Sequence, residues 1–328
     1  MKTVVSKDVL GLNAAREVER ITSAIRRQIA DLRRKGAVLG LSGGIDSSVT
    51  AALCVRALGA DKVVGLLMPE TDCSSDSLRL GRMIADWLGI QAIVEDITPM
   101  LEAAGCYRRR DEAIRSMIPE YTPAYRSKIV LPPADDTSPY AVFSAVVQSP
   151  SGETKKVRLS LDAYRGIVAA TNFKQRVRSM MAYYHADRLN YAYVGTPNLL
   201  EYDQGFFVKN GDGAADLKPI AHLYKTQVYQ LAEFLEVPEE VRRRPPTTDT
   251  YSMEQSQEEF YFSVPLRDMD LCLWGKNHDI PAHEIAAALG RTPEQVERIY
   301  KSIDSKRAAT RYLHTAPLLC GSIYSSGG

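Results

Sequence analysis

The sequence has no excess of charge of one sign and no long apolar run. Its 328 residues include 41 lysines and arginines against 40 aspartates and glutamates, which gives a net charge of +1. This balance does not favour a nucleic-acid or membrane-surface partner. No apolar segment is long enough to span a bilayer, and the N-terminal stretch becomes charged before a signal-type apolar segment develops. We therefore expect a cytoplasmic protein whose partners include neither nucleic acid nor a membrane.

The sequence also lacks a cysteine framework. Its five cysteines are scattered, and none has the C-x-x-C spacing or the cysteine and histidine spacing of a zinc site. The odd number and wide separation argue against a disulfide scaffold and predict free thiols in a reducing compartment. The cysteines are Cys54, Cys73, Cys106, Cys272 and Cys320.

The dominant pattern is an alternation of helical and strand segments. The predicted elements are helix 13–35, strand 37–41, helix 47–59, strand 62–68, helix 76–88, strand 91–94, helix 173–189, strand 191–194 and helix 226–235. Farther along, Thr292 followed by Pro293 predicts the start of another helix. The alternation predicts an α/β, Rossmann-like fold in which helices flank a parallel sheet.

Residues 106–160 interrupt this alternation. The segment is rich in proline, and within it only 141–147 looks like a strand. A turn at 149–152 and a return over 157–159 would complete a β-hairpin. We predict that 106–160 is an insertion or lid within a single domain that spans 1–328.

One loop has a pattern suited to phosphate chemistry. Residues 42–48 read Ser-Gly-Gly-Ile-Asp-Ser-Ser and lie between a predicted strand and a predicted helix, where α/β sheets bind ligands. Gly43 and Gly44 allow the backbone to approach a phosphate, and the start of the helix favours an anion. Asp46 can bind a magnesium ion that bridges phosphate oxygens. The loop is not a Walker loop, because no G-K-[ST] follows it.

Residues 39–48 resemble the SGGxDS loop of the N-type ATP pyrophosphatases, which cleave ATP between its α and β phosphates and transfer AMP to a substrate. The second half of the chain resembles one branch of that superfamily, the NAD synthetases. The resembling segments are 172–180, 195–207, 209–220, 223–232 and the PTA-[DE]-like loop 246–249. The resemblance covers about 15–100 and 170–312. It implies the adenine nucleotide alpha hydrolase-like version of the α/β fold.

The resemblance implies roles for particular residues. Asp46 and Lys225 would be catalytic, while Asp46 and Glu201 would bind Mg²⁺. The implied ATP-binding residues are Leu41, Ser42, Gly43, Gly44, Asp46, Ser47, Ser48, Met68, Arg178, Thr196, Lys225 and Thr247. The implied substrate-binding residues are Asn172, Arg176, Asp212, Asp216 and Lys218. Asn198 would line the same site.

The resemblance also implies a reaction, the ATP-dependent amidation of deamido-NAD (nicotinic acid adenine dinucleotide) to NAD. The nicotinate carboxylate would attack the α-phosphorus of ATP, and ammonia would then displace AMP from the adenylate. Because the synthetase motif begins at Ser42, we expect no glutaminase domain in this chain and ammonia as the nitrogen donor, unless a separate glutaminase subunit supplies it. Family members are typically homodimers, so the implied partners are deamido-NAD, ATP, ammonia and a second copy of the chain.

Two departures from the family pattern leave the acyl substrate open. Leu80-Gly81 stands where the family commonly has Asp-Ala, and the usual acidic segment after 246–249 is replaced over 255–261. One alternative is a divergent enzyme that adenylates and amidates another carboxylate. A second alternative is a non-catalytic nucleotide-binding module, against which the intact magnesium-binding and ATP-binding residues argue.

Overall fold

A four-stranded sheet forms the centre of the protein, which the computed structural model describes over residues 5–131, 143–248 and 250–321. The strands in chain order are β1 (Ala37–Gly40), β2 (Val63–Leu67), β3 (Gln91–Val94), β4 (Arg126–Val130), β5 (Ser144–Gln148), β6 (Thr154–Arg158) and β7 (Ala192–Tyr193). The central sheet has the order β3-β2-β1-β7, and every neighbouring pair in it is parallel. Strand β2 is apolar and buried throughout, as expected of a parallel strand that is covered on both faces.

Helices cover both faces of this sheet. In chain order, the α-helices of the described residues are α1 (Ala14–Asp31), α2 (Ile45–Leu58), α3 (Ser75–Leu88), α4 (Thr98–Ala103), α5 (Cys106–Arg115), α6 (Leu161–Leu189), α7 (Leu199–Gln204), α8 (Lys225–Phe234), α9 (Glu239–Arg243), α10 (Leu266–Asn277), α11 (Ala282–Leu289) and α12 (Pro293–Thr310). Because side chains alternate along a strand, Leu39 packs in the core formed with α1, α2, α3 and α8, while Val38 packs against α6. The predicted α/β architecture is confirmed.

A second, antiparallel sheet has the order β4-β5-β6 and is built from the insertion. Its inward side chains, among them Ile129, Ala145 and Val147, form a separate core with α5 and the first turns of α6. The predicted hairpin is confirmed as β5 and β6, although residues 141 and 142 of the predicted strand lie outside the described residues. The family-like α/β unit therefore carries an additional sheet with its own core.

The structure differs from the prediction at three elements in or beside the insertion. Strand β4 was not predicted, because its buried residues include the polar Ser127, and the charged Arg126 and Lys128 interrupt the apolar pattern. Helix α5 was missed because it is highly charged and packs partly through the buried Arg110 and Asp111. Helix α6 begins at Leu161 rather than near residue 173, after the N-cap Ser160, whose hydroxyl accepts a hydrogen bond from the amide of Ala163 (3.2 Å).

The C-terminal helices α10, α11 and α12 form another core, which the 3₁₀-helix Lys7–Leu10 joins. The predicted helix start at Thr292 is confirmed. Its hydroxyl accepts from the amide of Gln295 (3.3 Å), and the Gln295 side chain accepts from the amide of Thr292 (3.0 Å). No disulfide links two cysteines within the described residues. Among the described helices, none has the length and apolar character needed to cross a membrane.

The departure at Leu80-Gly81 has a packing consequence. A Cβ atom at Gly81 would lie 2.5 Å from a terminal carbon of Leu67 and 2.9 Å from the carbonyl oxygen of Leu41. Helix α3 therefore approaches the end of β1 more closely than a larger residue would allow. Leu80 in turn lies against Gly43 of the 42–48 loop, where an added Cβ would be 2.5 Å from the Cβ of Leu80. Leu80 and Gly81 therefore pack directly against the 42–48 loop and against Leu41, the residue before it.

We predict that Gly81→Ala lowers the free energy of unfolding by about 1–3 kcal/mol, because the added methyl group meets backbone and overpacks the core. Urea denaturation monitored by circular dichroism measures the change. Without the close contact, replacing a glycine inside a helix with alanine would raise the free energy of unfolding by about 1 kcal/mol. A higher free energy of unfolding in Gly81→Ala would therefore show that the structure has space for a methyl group at this position.

Candidate active site

The 42–48 loop connects β1 to the first turn of α2. Gly43 has φ +71°, a backbone conformation that favours glycine, and its surroundings leave no space for a side chain. The hydroxyls of Ser47 and Ser48 donate to the carbonyl oxygen of Gly44 at 2.9 and 2.8 Å. The first amide groups of α2 have no partner one turn earlier within the helix and suit a bound anion.

A buried ion pair lies at this end of the sheet. Lys225, the first residue of α8, is 3% exposed, and its ammonium group pairs with the Asp46 carboxylate. The Asn198 amide donates to the other Asp46 oxygen at 3.1 Å. Burial opposes the positive charge of Lys225, but Asp46 and then Glu201 outweigh it and raise the pKa of Lys225. The lysine is therefore charged at neutral pH.

Glu201 is the second carboxylate of this centre. A capping box fixes it at the start of α7, because Asn198 and Glu201 each accept a hydrogen bond from the other's amide (both 3.2 Å). Gln257 donates to the remaining carboxylate oxygen at 2.9 Å. Burial, and next the charge of Asp46, raise the pKa of Glu201 to about 7.

Asp46 and Glu201 form a donor set that fits a hard divalent cation. Both carboxylates border the same cleft, and the charge of Asp46 helps to raise the pKa of Glu201, an unfavourable interaction that an added cation would relieve. No group of three or more histidine, cysteine or acidic residues that could bind a metal occurs in the described part of the chain. Two carboxylates suit an ion that completes its coordination with water and phosphate oxygens, as Mg²⁺ does.

Most of the predicted site residues border one cleft of about 750 Å³. Those that border it are Leu41, Ser42, Gly44, Asp46, Ser47, Met68, Asn172, Arg176, Arg178, Thr196, Glu201, Asp212, Lys225 and Thr247. Gly43, Ser48, Asp216 and Lys218 are not on its surface. Gly43 and Ser48 shape the loop, whereas the other two make contacts within the protein.

The substrate-side residues differ in what they contact. The Asp216 carboxylate accepts from the amide of Tyr193 (2.8 Å), and the Lys218 ammonium donates to the carbonyl oxygen of Gly213 (2.6 Å). Asp212 accepts from the amide of Val208 (2.7 Å), and burial raises its pKa to about 6. Asp216 and Lys218 thus order the 208–218 loop, and their direct contact with a substrate stays a prediction.

The insertion contributes to the same cleft. Phe143 stacks on Tyr164 of α6, with 4.3 Å between ring centroids and 18° between ring planes. Both rings border the cleft, as do Tyr251 and Phe260, whose rings meet edge to face at 5.6 Å. Sequence reasoning did not identify this aromatic wall, because its members are far apart in the chain.

Two further polar residues were missed. Asp270 of α10 is fully buried and accepts from the amides of Lys225 (3.1 Å) and Thr226 (2.6 Å), and from the Thr226 hydroxyl. It caps α8 from a distant helix, and burial raises its pKa to about 6. A carboxylate inside an apolar helical stretch was the available signal. Gln257 lies in segment 255–261, which departs from the family pattern, and nothing in the sequence indicated its contact with Glu201.

We predict that Asp270→Ala lowers the free energy of unfolding by about 2–3 kcal/mol, because it leaves two buried amides and a hydroxyl without an acceptor. Asp268→Ala on the same helix is a matched control, because it removes a partly buried ion pair with Arg291, whose side chains are 19% and 25% exposed, without orphaning backbone amides, and should cost about 1 kcal/mol. Urea denaturation of both variants measures the difference. Equal losses would show that Asp270 is not the anchor of α8.

The sequence is similar to that of a known family along most of its length. The family model described as NAD synthase matches residues 17–120 and 150–311, so the unmatched 121–149 falls inside the insertion. The NH(3)-dependent NAD(+) synthetase of Mesorhizobium japonicum is 59% identical over 312 residues, which are 95% of this chain and 98% of that protein.

Two solved structures share the fold. One is the NH3-dependent NAD synthetase from Campylobacter jejuni in complex with the nitrate ion, with a TM-score of 0.61, 21% identity and coverage of 94% of this chain and 100% of that one. The other is NMN synthetase from Francisella tularensis, with a TM-score of 0.64, 20% identity and coverage of 94% and 98%. With the family model matched on both sides of the insertion and a relative similar over almost its full length, the chain belongs to the NAD synthase family.

Proposed function

We propose that this protein is a ligase that converts deamido-NAD into NAD, with ATP as co-substrate and ammonia as nitrogen donor, and that it releases AMP and pyrophosphate. The observation that carries the proposal is the 59% identity to an NH(3)-dependent NAD(+) synthetase over 95% of the chain. The geometry supports it, since Ser42, Gly44 and Ser47 of the loop border one cleft together with Asp46, Glu201 and Lys225.

The reaction requires a better leaving group on the carboxylate. Oxide does not leave from a carboxylate, so the nicotinate oxygen attacks the α-phosphorus of ATP and pyrophosphate departs. Ammonia then attacks the acyl carbon of the adenylate, AMP leaves with the C–O bond electrons, and a proton is lost to give the amide. The first amides of α2 and the Lys225 ammonium stabilise the negative charge that develops on the phosphates. The chain supplies positioning and charge, and no covalent intermediate with the protein is needed.

The proposed magnesium site consists of Asp46 and Glu201. The ion would supply charge neutralisation at the phosphates when bound. Asn198 and Gln257 orient the two carboxylates through hydrogen bonds at 3.1 and 2.9 Å. We propose that Thr196, Met68, Arg178 and Thr247 contact ATP, because they border the same cleft. We also propose a dinucleotide-binding group, in which Asp216 and Lys218 act through the loop that they order. The other members of this group are Asn172, Arg176 and Asp212.

The direct test incubates the protein with MgATP, ammonium and deamido-NAD and follows NAD and AMP by chromatography. We expect both products in equal amounts. Nicotinate mononucleotide replaces deamido-NAD in a parallel reaction, because it carries the same carboxylate on a smaller molecule. Pyrophosphate release with another carboxylate, and none with deamido-NAD, would establish the divergent alternative instead.

We predict that Asp46→Asn lowers kcat by about 100-fold or more, because it removes a charge that faces both the proposed magnesium ion and Lys225. Asp86→Asn on the exposed side of α3 is the control and should retain wild-type turnover. Initial rates at saturating substrates measure the change. Unchanged activity in Asp46→Asn would remove this carboxylate from the magnesium site.

We also propose that the protein is a cytoplasmic homodimer made of single-domain subunits, with 106–160 as an insertion or lid beside the cleft. Met180 and Tyr184 support the dimer, because they are 53% and 55% exposed and lie one turn apart on α6, where a second subunit would cover them. Sedimentation equilibrium should give twice the chain mass at micromolar concentration. Tyr184→Glu should shift the protein towards the monomer, and a wild-type monomer would contradict the proposal.

A further inference from the structure

A fully buried lysine lies behind the wall of the cleft. Lys174 of α6 has no solvent-exposed surface, and its ammonium group contacts three oxygens. These are a carboxylate oxygen of Glu70 at 3.0 Å, a carboxylate oxygen of Asp72 at 2.6 Å and the carbonyl oxygen of Thr250 at 2.7 Å. All three ammonium hydrogens therefore have an acceptor. None of the predicted roles includes this residue.

The two carboxylates have further partners in the interior. The Tyr107 hydroxyl donates to Glu70 at 2.8 Å, and the Arg110 guanidinium contacts Asp72 at 2.5 Å. The side chains of Lys174, Glu70, Asp72 and Arg110 are between 0% and 8% exposed. We call these four residues the buried ionic cluster. Because buried charges cost free energy unless each is paired, its geometry is tightly specified.

The cluster joins two segments that border the cleft. The 68–74 segment follows β2 and places Met68, Pro69 and Cys73 on the cleft surface. The second segment consists of the described residues 247, 248, 250 and 251, called here the 247–251 segment, and places Thr247 and Tyr251 there. Of the cluster's two cations, Arg110 contacts acidic residues of the first segment and its own helix, whereas Lys174 contacts both segments. Lys174 therefore connects the two segments.

We infer that Lys174 is a positioning residue for the nucleotide: its ammonium group fastens the 68–74 segment to the 247–251 segment, which keeps Met68 and Thr247 in place around ATP. The inference rests on the proposed function for the identity of the nucleotide. Loss of the ammonium group would remove the hydrogen bond that holds Thr250 to α6, which loosens the 247–251 segment although Tyr251 still packs against α6. Thr247 would then be placed less firmly at the nucleotide, which weakens binding of ATP.

The test compares Lys174→Met with Arg110→Met. Both variants remove one buried cation from Asp72, but only the first removes the contact with Thr250. Calorimetry measures the Kd of the magnesium complex of α,β-methylene-ATP, which binds without turnover, and thermal melting measures stability. We expect at least a tenfold higher Kd for Lys174→Met and a Kd within about threefold of wild type for Arg110→Met, although both melt at lower temperature. Equal changes in Kd at equal loss of melting temperature would overturn the inference.

Steady-state kinetics provide a second readout. For Lys174→Met, the KM for MgATP should rise more than kcat falls at saturating ATP, while the KM for deamido-NAD changes less. Lys174→Arg keeps the charge and should recover part of the affinity. If Lys174→Met does not fold, Lys174→Met with Glu70→Gln removes one negative charge along with the positive one. This double variant should still bind the analogue weakly, because Thr250 has lost its partner, and wild-type affinity in it would overturn the inference.

The failure of this inference and that of the proposed function give different results. A wild-type protein that binds the ATP analogue but makes no NAD from deamido-NAD would contradict the proposed function and leave the comparison of Kd values valid. Normal NAD formation with equal Kd values in the two methionine variants would leave the function intact and remove Lys174 from the nucleotide site.

Discussion

The ion pair between Lys225 and Asp46 is the contact on which the cleft depends. It joins the first turns of α2 and α8, two helices that the chain separates by most of its length. A buried pair of this kind stabilises a structure only when the remaining donors and acceptors are satisfied. Asn198 satisfies the second oxygen of Asp46, and Asp270 accepts from the backbone amide of Lys225 and so holds the lysine in place. The polar contacts around the pair are therefore part of the same constraint.

The parallel sheet explains why these groups meet. β1 and β7 are neighbours, and both end at the same edge, so the loop after β1 and the segment after β7 lie side by side. The first carries Asp46 and the second carries Asn198 and Glu201. Ligand sites of open α/β sheets occur at such an edge for this reason. The capping box of α7 then turns the Glu201 carboxylate towards Asp46.

The insertion is coupled to the cleft by packing and by a hydrogen bond. Its antiparallel sheet has a separate core with α5 and the start of α6, and Tyr251 and Phe260 pack into that core. The Ser127 amide donates to the hydroxyl of Ser252 at 2.9 Å, which attaches β4 to the segment after Thr247. A change in the insertion would thus reach the cleft through the 247–262 region, the same region in which the sequence departs from the family pattern.

The sequence by itself determined the α/β class, most elements of the central sheet and the position of the 42–48 loop between a strand and a helix, because periodicity, glycine positions and helix caps are local properties of the chain. It also identified Asp46, Glu201 and Lys225, through segments whose spacing resembles a known family. Only the tertiary structure decided that Asp270 caps α8 and that Lys174 lies among carboxylates. Both are polar residues inside helices, where local pattern predicts exposure, and only partners distant in the chain make their burial favourable.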